Sequence, residues 1–236
     1  MSGSAAPRVL LSRSALARNA KALNVRGRVV DLRHDAYGHG LDEAARIVVD
    51  AGASRILTGT GDEAARLRDA GVPAQADALV PATASDLTAA SALFGIPDAA
   101  TPADALPVMM LEGRVLAVKP LLKGEAVSYG YTHRASRDTR IALVTGGYAQ
   151  GIVRALGNRA HVQIGERTHP VIGRIAMDVC VVDLEDVHAE VGDPVTYFGG
   201  TGSVRRGLAE WADATGLSAL EMAVVIGRST ERSWVA

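Results

Sequence analysis

The stretch VVDLRHDAYGHG (29–40) carries Arg33, His34, Asp35, Tyr37 and His39 close together, with glycines on both sides of His39. A glycine-flanked loop after a short strand is a usual place for chemistry in parallel α/β units. A guanidinium at Arg33 can hold a carboxylate or phosphate of a ligand. Its plainer expectation is a salt bridge to Asp35 or another acid. His34, between Arg33 and Asp35, makes an acid–base cluster or simply sits in a solvated loop. His39 reads as a hydrogen-bond anchor more than as a base. A second candidate is Tyr129, between Ser128 and Gly130. It acts as a general acid or base if nearby positive charge lowers its pKa, and otherwise as a structural tyrosine. Met177–Asp178 can turn a backbone N–H toward a substrate carboxylate, or form a tight β connection.

Other chemistries lack their residues. His161, His169 and His188 do not have zinc-ligand spacing, so no metal is expected. GGTGS (199–203) follows VTYF without a phosphate-binding helix entrance. No G-x-S-x-G elbow is present. The formal net charge of −1 over 236 residues favours neither nucleic acid nor an anionic membrane as partner. One cysteine, Cys180, excludes an intrachain disulfide. No apolar run approaches the ~20 residues of a membrane helix, and the N-terminus lacks a signal-peptide pattern. A soluble cytoplasmic protein is expected.

The elements that must position these residues change character along the chain. RVVDL (28–32), SRILTG (54–59) and AQADALV (74–80) read as strands. GLDEAARIVVDAG (40–52) and GDEAARLRDAG (61–71) read as amphipathic helices between them. This order predicts parallel βαβ units. A further helix is expected within 81–107. Beyond it the period becomes two: 115–122, 140–145, 161–164, 170–177, 179–184 and 194–199 read as short strands, with 165–170 as a hairpin loop. Helices are expected at 207–216 and 218–227, the latter with Ser218 as N-cap and Glu221 three residues on. The boundary is placed near 106, with an α/β part at 1–106 and a mainly β part at 107–236.

These residues carry a resemblance. DAYGHG (35–40), VSYG (127–130), GYAQGIVRALGNR (147–159), IGRIAMDVCVVDL (172–184), VGDPV (191–195) and IGRSTERSWV (226–235) resemble the alanine racemase family. The resemblance implies a pyridoxal-phosphate (PLP) barrel domain, a following β domain, and head-to-tail dimers with composite active sites. It aligns Arg33 with the family's PLP lysine, since the family loop resembles VVKADAYGHG. A guanidinium keeps its proton, with a pKa above ~12, and cannot form a Schiff base. Lys21, Lys119 and Lys123 all lie outside the motif.

The fold class expected is therefore α/β plus β, a remnant of a (β/α)8 barrel of about four strands followed by an alanine-racemase-like β domain. A closed barrel takes ~250 residues. SALFGIPDA (91–99) resembles its last strand, and the middle strands are missing. Tyr37 stands in the phosphate-tyrosine position, and Trp234 replaces the terminal phosphate tyrosine. Gln150 stands where the family prefers aspartate. Tyr129 matches the catalytic tyrosine that serves the opposite subunit. Tyr148, Arg154, Arg174, Met177 and Asp178 match residues that line the entry or grip the substrate carboxylate. No bound cofactor is expected. Uncovered barrel edges predict a homodimer with composite sites, which light scattering tests. The leading functional expectation is a PLP-independent isomerase, cyclase or lyase acting by proton transfer on a small carbonyl or acidic substrate in a biosynthetic pathway. Tyr129 then moves the proton, and Arg33 or Arg174 steadies negative charge. The alternative is a catalytically silent paralogue that binds a ligand or partner.

Overall fold

In a computed structural model of the chain, residues 6–77 and 81–236 are described. They fall into two compact units. One comprises residues up to Val9, Met110–Ser218 and Ser229–Glu231; the other comprises Leu10–Met109, Ala219–Arg228 and Arg232–Ala236. The division is not a single cut: residues from the end of the chain belong to the unit built by its beginning.

The α/β unit opens with β1 (Arg8–Ser12) running into α1 (Arg13–Ala22), which Ser12 caps by accepting from Ala15 N. Its sheet is β2 (Val29–Asp31), β3 (Arg55–Thr58) and β4 (Ala74–Ala76), parallel and in the order β2-β3-β4. The turn α2 (Arg33–Tyr37) follows β2 directly. The helices α3 (Leu41–Asp50) and α4 (Gly61–Asp69) make the crossovers. Leu41, Ala44, Ala45 and Val48 are the buried residues of α3, a spacing of three and four that places them on one helical face. Thr60 and Glu63 form a capping box on α4, satisfying N–H groups that the helix cannot.

Two expectations change here. The fourth barrel strand expected at 91–99 is not a strand. Ala84–Phe94 forms α5, started by a Thr83–Asp86 capping box and stopped by Gly95 in a left-handed conformation. A Cβ on Gly95 would lie 2.0 Å from Leu106 O, so only glycine fits that end. The apolar run Ala92–Phe94 is buried helix, a case that periodicity alone does not separate from a buried strand. Among the described residues the parallel sheet therefore has three strands rather than about four. The strand expected over 74–80 ends at Ala76, and 78–80 lie outside the described residues.

The β unit is antiparallel. Its strands are β5 (Met109–Leu121), β8 (Thr139–Thr145), β9 (His161–Ile164), β10 (Arg167–Ile172), β11 (Val179–Glu185) and β12 (Pro194–Phe198), with the small hairpin β6 (Ala126–Val127) and β7 (His133–Arg134) apart. The order β12-β9-β10-β11-β8-β5 closes on itself, because β12 also pairs with β5. Closure removes the free edges of these six strands. Alternate residues turn inward, as a period of two requires: Cys180, Val182 and Leu184 of β11 are buried and their neighbours less so. The loop expected at 165–170 is only the turn Gly165–Glu166; the strand resumes at Arg167, which pairs with Ile164. The strand expected to reach 177 stops at Ile172, and Gly173 takes φ 73° to start the loop that follows. Trp211 of α6 (Gly207–Thr215) lies edge-on to Phe198, with ring centroids 5.3 Å apart. The helix α7 (Ala219–Ser229) and β13 (Glu231–Val235) complete the chain.

Candidate functional site

In the α/β unit the chain leaves β2 and makes a left-handed helical turn. His34, Asp35, Ala36 and Tyr37 have φ of 56°, 59°, 53° and 50°. None is glycine, and each such residue costs roughly 1–2 kcal/mol. Backbone bonds oppose this: Gly38 N donates to His34 O at 3.1 Å, and Gly40 N to Asp35 O at 3.0 Å. The Asp35 carboxylate accepts from Leu41 N at 2.8 Å and from Arg232 Nη1, which also donates to Gly38 O at 3.0 Å. His39 is 0 % exposed. Its Nδ1 meets Ala36 O and Tyr37 O, both at 3.1 Å, and its ring stacks on Phe94 at 3.9 Å. Burial pushes this imidazole down to about 4, so it is neutral at physiological pH. His39 is thus a buried hydrogen-bond anchor of the turn.

The turn brings Arg33 and Tyr37 onto one carboxylate, that of Asp31. Arg33 donates Nε to both oxygens at 3.0 Å and Nη2 to Oδ2 at 2.7 Å, and its backbone N donates to Oδ1 at 2.9 Å. Tyr37 Oη donates to Oδ2 at 2.8 Å. Asp86 Oδ2 stands 3.7 Å from Arg33 Nη2. The hydrogen bond to Asp31 holds the Arg33 guanidinium above its ordinary pKa. Burial, and then donation to Asp31, raises the Tyr37 phenol as well. Asp31 and Asp86 also line a cleft of about 180 Å³ walled by Val29, Val30, Ala90 and Leu93. The expected cluster of His34, Arg33 and Asp35 does not form. His34 is exposed, 6.0 Å from the Tyr37 ring, and Asp35 turns to Arg232 instead of Arg33. Trp234 Nε1 lies beside Gly40, 3.6 Å from where a Cβ would stand.

This donor set does not suit covalently held PLP. Arg33 has no amine to offer, its proton is held more firmly by Asp31, and the Tyr37 hydroxyl is engaged on the same carboxylate.

The β unit presents its candidates to solvent. Tyr129 is 78 % exposed. Ser128, Gly130 and Tyr131 around it all have positive φ. A Cβ on Gly130 would lie 3.3 Å from Arg174 Cζ, so Tyr129 and Arg174 share one loop cluster. A second cluster is made by the 3-10 turns Tyr148–Gln150 and Arg154–Leu156. Arg154 stacks over the Tyr148 ring at 5.7 Å. Tyr148 N donates to Ala176 O and Ala149 N to Met177 O, each at 3.0 Å. Gln150 Nε2 donates to Asp178 Oδ1 at 3.3 Å, a contact an aspartate at 150 would replace with repulsion. Met177 and Asp178 are exposed. Sequence reasoning missed Asp31, Asp86 and Arg232. Asp31 stood two residues from Arg33, and its proximity was the available signal; nothing local marked Arg232.

Comparison with known proteins adds the family. Residues 108–234 match the model of the alanine racemase C-terminal domain, and residues 11–96 that of the alanine racemase N-terminal domain. Alanine racemase of Mycobacterium avium is 43 % identical over 113 residues, 47 % of this chain and 29 % of that protein. Alanine racemase of Helicobacter pylori is 34 % identical over 128 residues, 54 % of this chain and 34 % of that protein. Each match spans about a third of the relative's length. The crystal structure of alanine racemase from D-cycloserine-producing Streptomyces lavendulae aligns with a TM-score of 0.82 at 21 % identity, covering 100 % of this chain and 98 % of that one. Alanine racemase from Bacillus anthracis with bound L-Ala-P gives 0.83 at 17 % identity, covering 100 % and 96 %. These two likenesses are of fold.

Proposed function

Because the chain belongs to the alanine racemase family, we propose that it is a member that works without covalent PLP, by proton transfer on a small carbonyl or acidic substrate. The reaction is then an isomerisation, cyclisation or elimination. Arg33 stands in place of the family's lysine, and Asp31 already neutralises it, so it is not the anion clamp. The parallel sheet among the described residues has three strands, and the middle of the family's barrel is taken to be missing. What remains exposed is Tyr129, whose loop neighbour Gly130 lies against the Arg174 guanidinium, and this shared loop cluster carries the reading. Tyr129 exchanges the proton, and Arg174 steadies the negative charge that develops on the substrate oxygen. A homodimer with composite sites belongs to the same proposal.

Proton NMR in deuterated buffer tests it, with a panel of small 2-keto acids and amino acids. The protein should speed exchange of the hydrogen next to the carbonyl. Tyr129→Phe should slow that exchange about a hundredfold or more while leaving the circular dichroism unchanged. Exchange insensitive to Tyr129→Phe, or a chromophore that pyridoxal phosphate attaches and hydroxylamine removes, overturns it.

One observation favours the second reading, a catalytically silent paralogue. Tyr129, Tyr131 and Met177 are 78 %, 69 % and 54 % exposed, and tyrosine, methionine and arginine are enriched at protein interfaces. Sedimentation with an active racemase of the family separates the two readings.

A further inference from the structure

We infer that Arg232 is a positioning residue: it holds residues 34–37 in their left-handed turn and thereby delivers Arg33 and Tyr37 to Asp31. The turn cannot be explained from its own residues. Four consecutive non-glycine residues are left-handed, and the strain of each opposes it. The bonds inside the turn are ones a right-handed turn would also make, so they do not select its hand.

What selects it comes from the other end of the chain, within the same unit. One nitrogen, Arg232 Nη1, donates both to Asp35 Oδ2 and to Gly38 O, tying the second residue of the left-handed run to the glycine that ends it. The other Asp35 oxygen accepts from Leu41 N, the first residue of α3. Asp35 is therefore fixed on both oxygens, and in the left-handed turn its carboxylate and Gly38 O meet at one guanidinium nitrogen. The helix before Arg232 is shaped to the same turn. A Cβ on Gly227 of α7 would lie 2.1 Å from Gly38 O, and one on Gly38 would lie 3.0 Å from Val224 Cα. Two glycines thus let helix and turn meet at backbone distance.

Asp35 and Arg232 keep 35 % and 29 % of their side-chain exposure. An ion pair this open adds little to global stability, so its effect should be read at the turn. It is independent of the reaction proposed above, since neither Tyr129 nor Arg174 takes part.

The experiment follows the tyrosine phenolate absorbance as pH rises, and amide hydrogen exchange, in the full chain. The Tyr37→Phe background identifies the Tyr37 contribution. In Arg232→Gln, one tyrosine should ionise at lower pH than before, and that change should be absent when Tyr37 is Phe. The amides of Gly38, Gly40 and Leu41 should exchange at least about tenfold faster, with the β4 amides unchanged. Arg232→Lys should restore part of both effects, since an ammonium offers point donors without the planar fork. If Arg232→Gln does not fold, Asp35→Asn and Arg232→Lys carry the same readouts. Unchanged Tyr37 ionisation and turn protection, or a loss of protection spread evenly over the unit, overturns the inference.

Discussion

Arg33 and Arg174 carry the same guanidinium into opposite circumstances. Arg33 is 5 % exposed, with Asp31 against it and Asp86 behind. Arg174 is exposed in a loop beside Gly130 and Tyr129. The tyrosines divide in the same way: Tyr37 is 2 % exposed and donates to Asp31, while Tyr129 is 78 % exposed. A functional side chain is available to a ligand only if the fold leaves it without a better partner. By that criterion the turn of the α/β unit is a structural centre, and the loops of the β unit are the surface to which the proposed chemistry is assigned.

The largest break in that comparison should come from Asp31→Ala. It removes the close counter-charge of a buried guanidinium, leaving Asp86 at 3.7 Å, and should cost about 3 kcal/mol in urea denaturation. Replacing both partners, Asp31→Val with Arg33→Leu, should recover most of that loss, because two apolar groups of similar size leave no unpaired charge. A double variant as unstable as the single one would show that the pair is more than structural.

Acid should come next. The unfolded chain takes up the His39 proton near 6.5, the folded chain only near 4. Between those values the unfolded state binds more protons, so stability falls as pH drops through that window, by on the order of 3 kcal/mol. His39→Gln should remove this slope from denaturation curves recorded across it. A slope that survives the substitution would assign acid sensitivity to another group.

The smallest effects on stability belong to the β unit. Arg174→Ala and Tyr129→Phe should each lie within about 0.5 kcal/mol of the parent, and Arg154→Ala should cost at most about 1 kcal/mol through its stacking on Tyr148. A loss of several kcal/mol from any of them would move that residue from the surface assigned to the chemistry into the structural frame.

Much of the architecture could be read before the fold was known. The strands at 161–164, 179–184 and 194–199 followed from alternation, and the helices at 40–52 and 61–71 from spacings of three and four. The segment 91–99 misled, because an apolar run buried on all sides has no period to betray it. The site was less readable. Arg33, Tyr37 and His39 were singled out for their types and for the glycines around them; an acid facing Arg33 and an anchoring role for His39 were among the expectations, but that acid, Asp31, was not named. Asp31 and Asp35 stand two residues to either side of Arg33 and spacing does not choose between them; the left-handed turn swings Asp35 toward Arg232 and leaves Asp31 facing Arg33.

The sequence alone settled what depends on near neighbours: which segments alternate, which are amphipathic, and that a guanidinium stands at position 33. Periodicity and bond chemistry act over a few residues, so one strand of text is enough to reveal them. Tertiary structure decided which charges are neutralised and which stay open. That choice turns on contacts such as Arg232 with Asp35, 197 positions apart, and on burial, which exists only once the chain has closed around them.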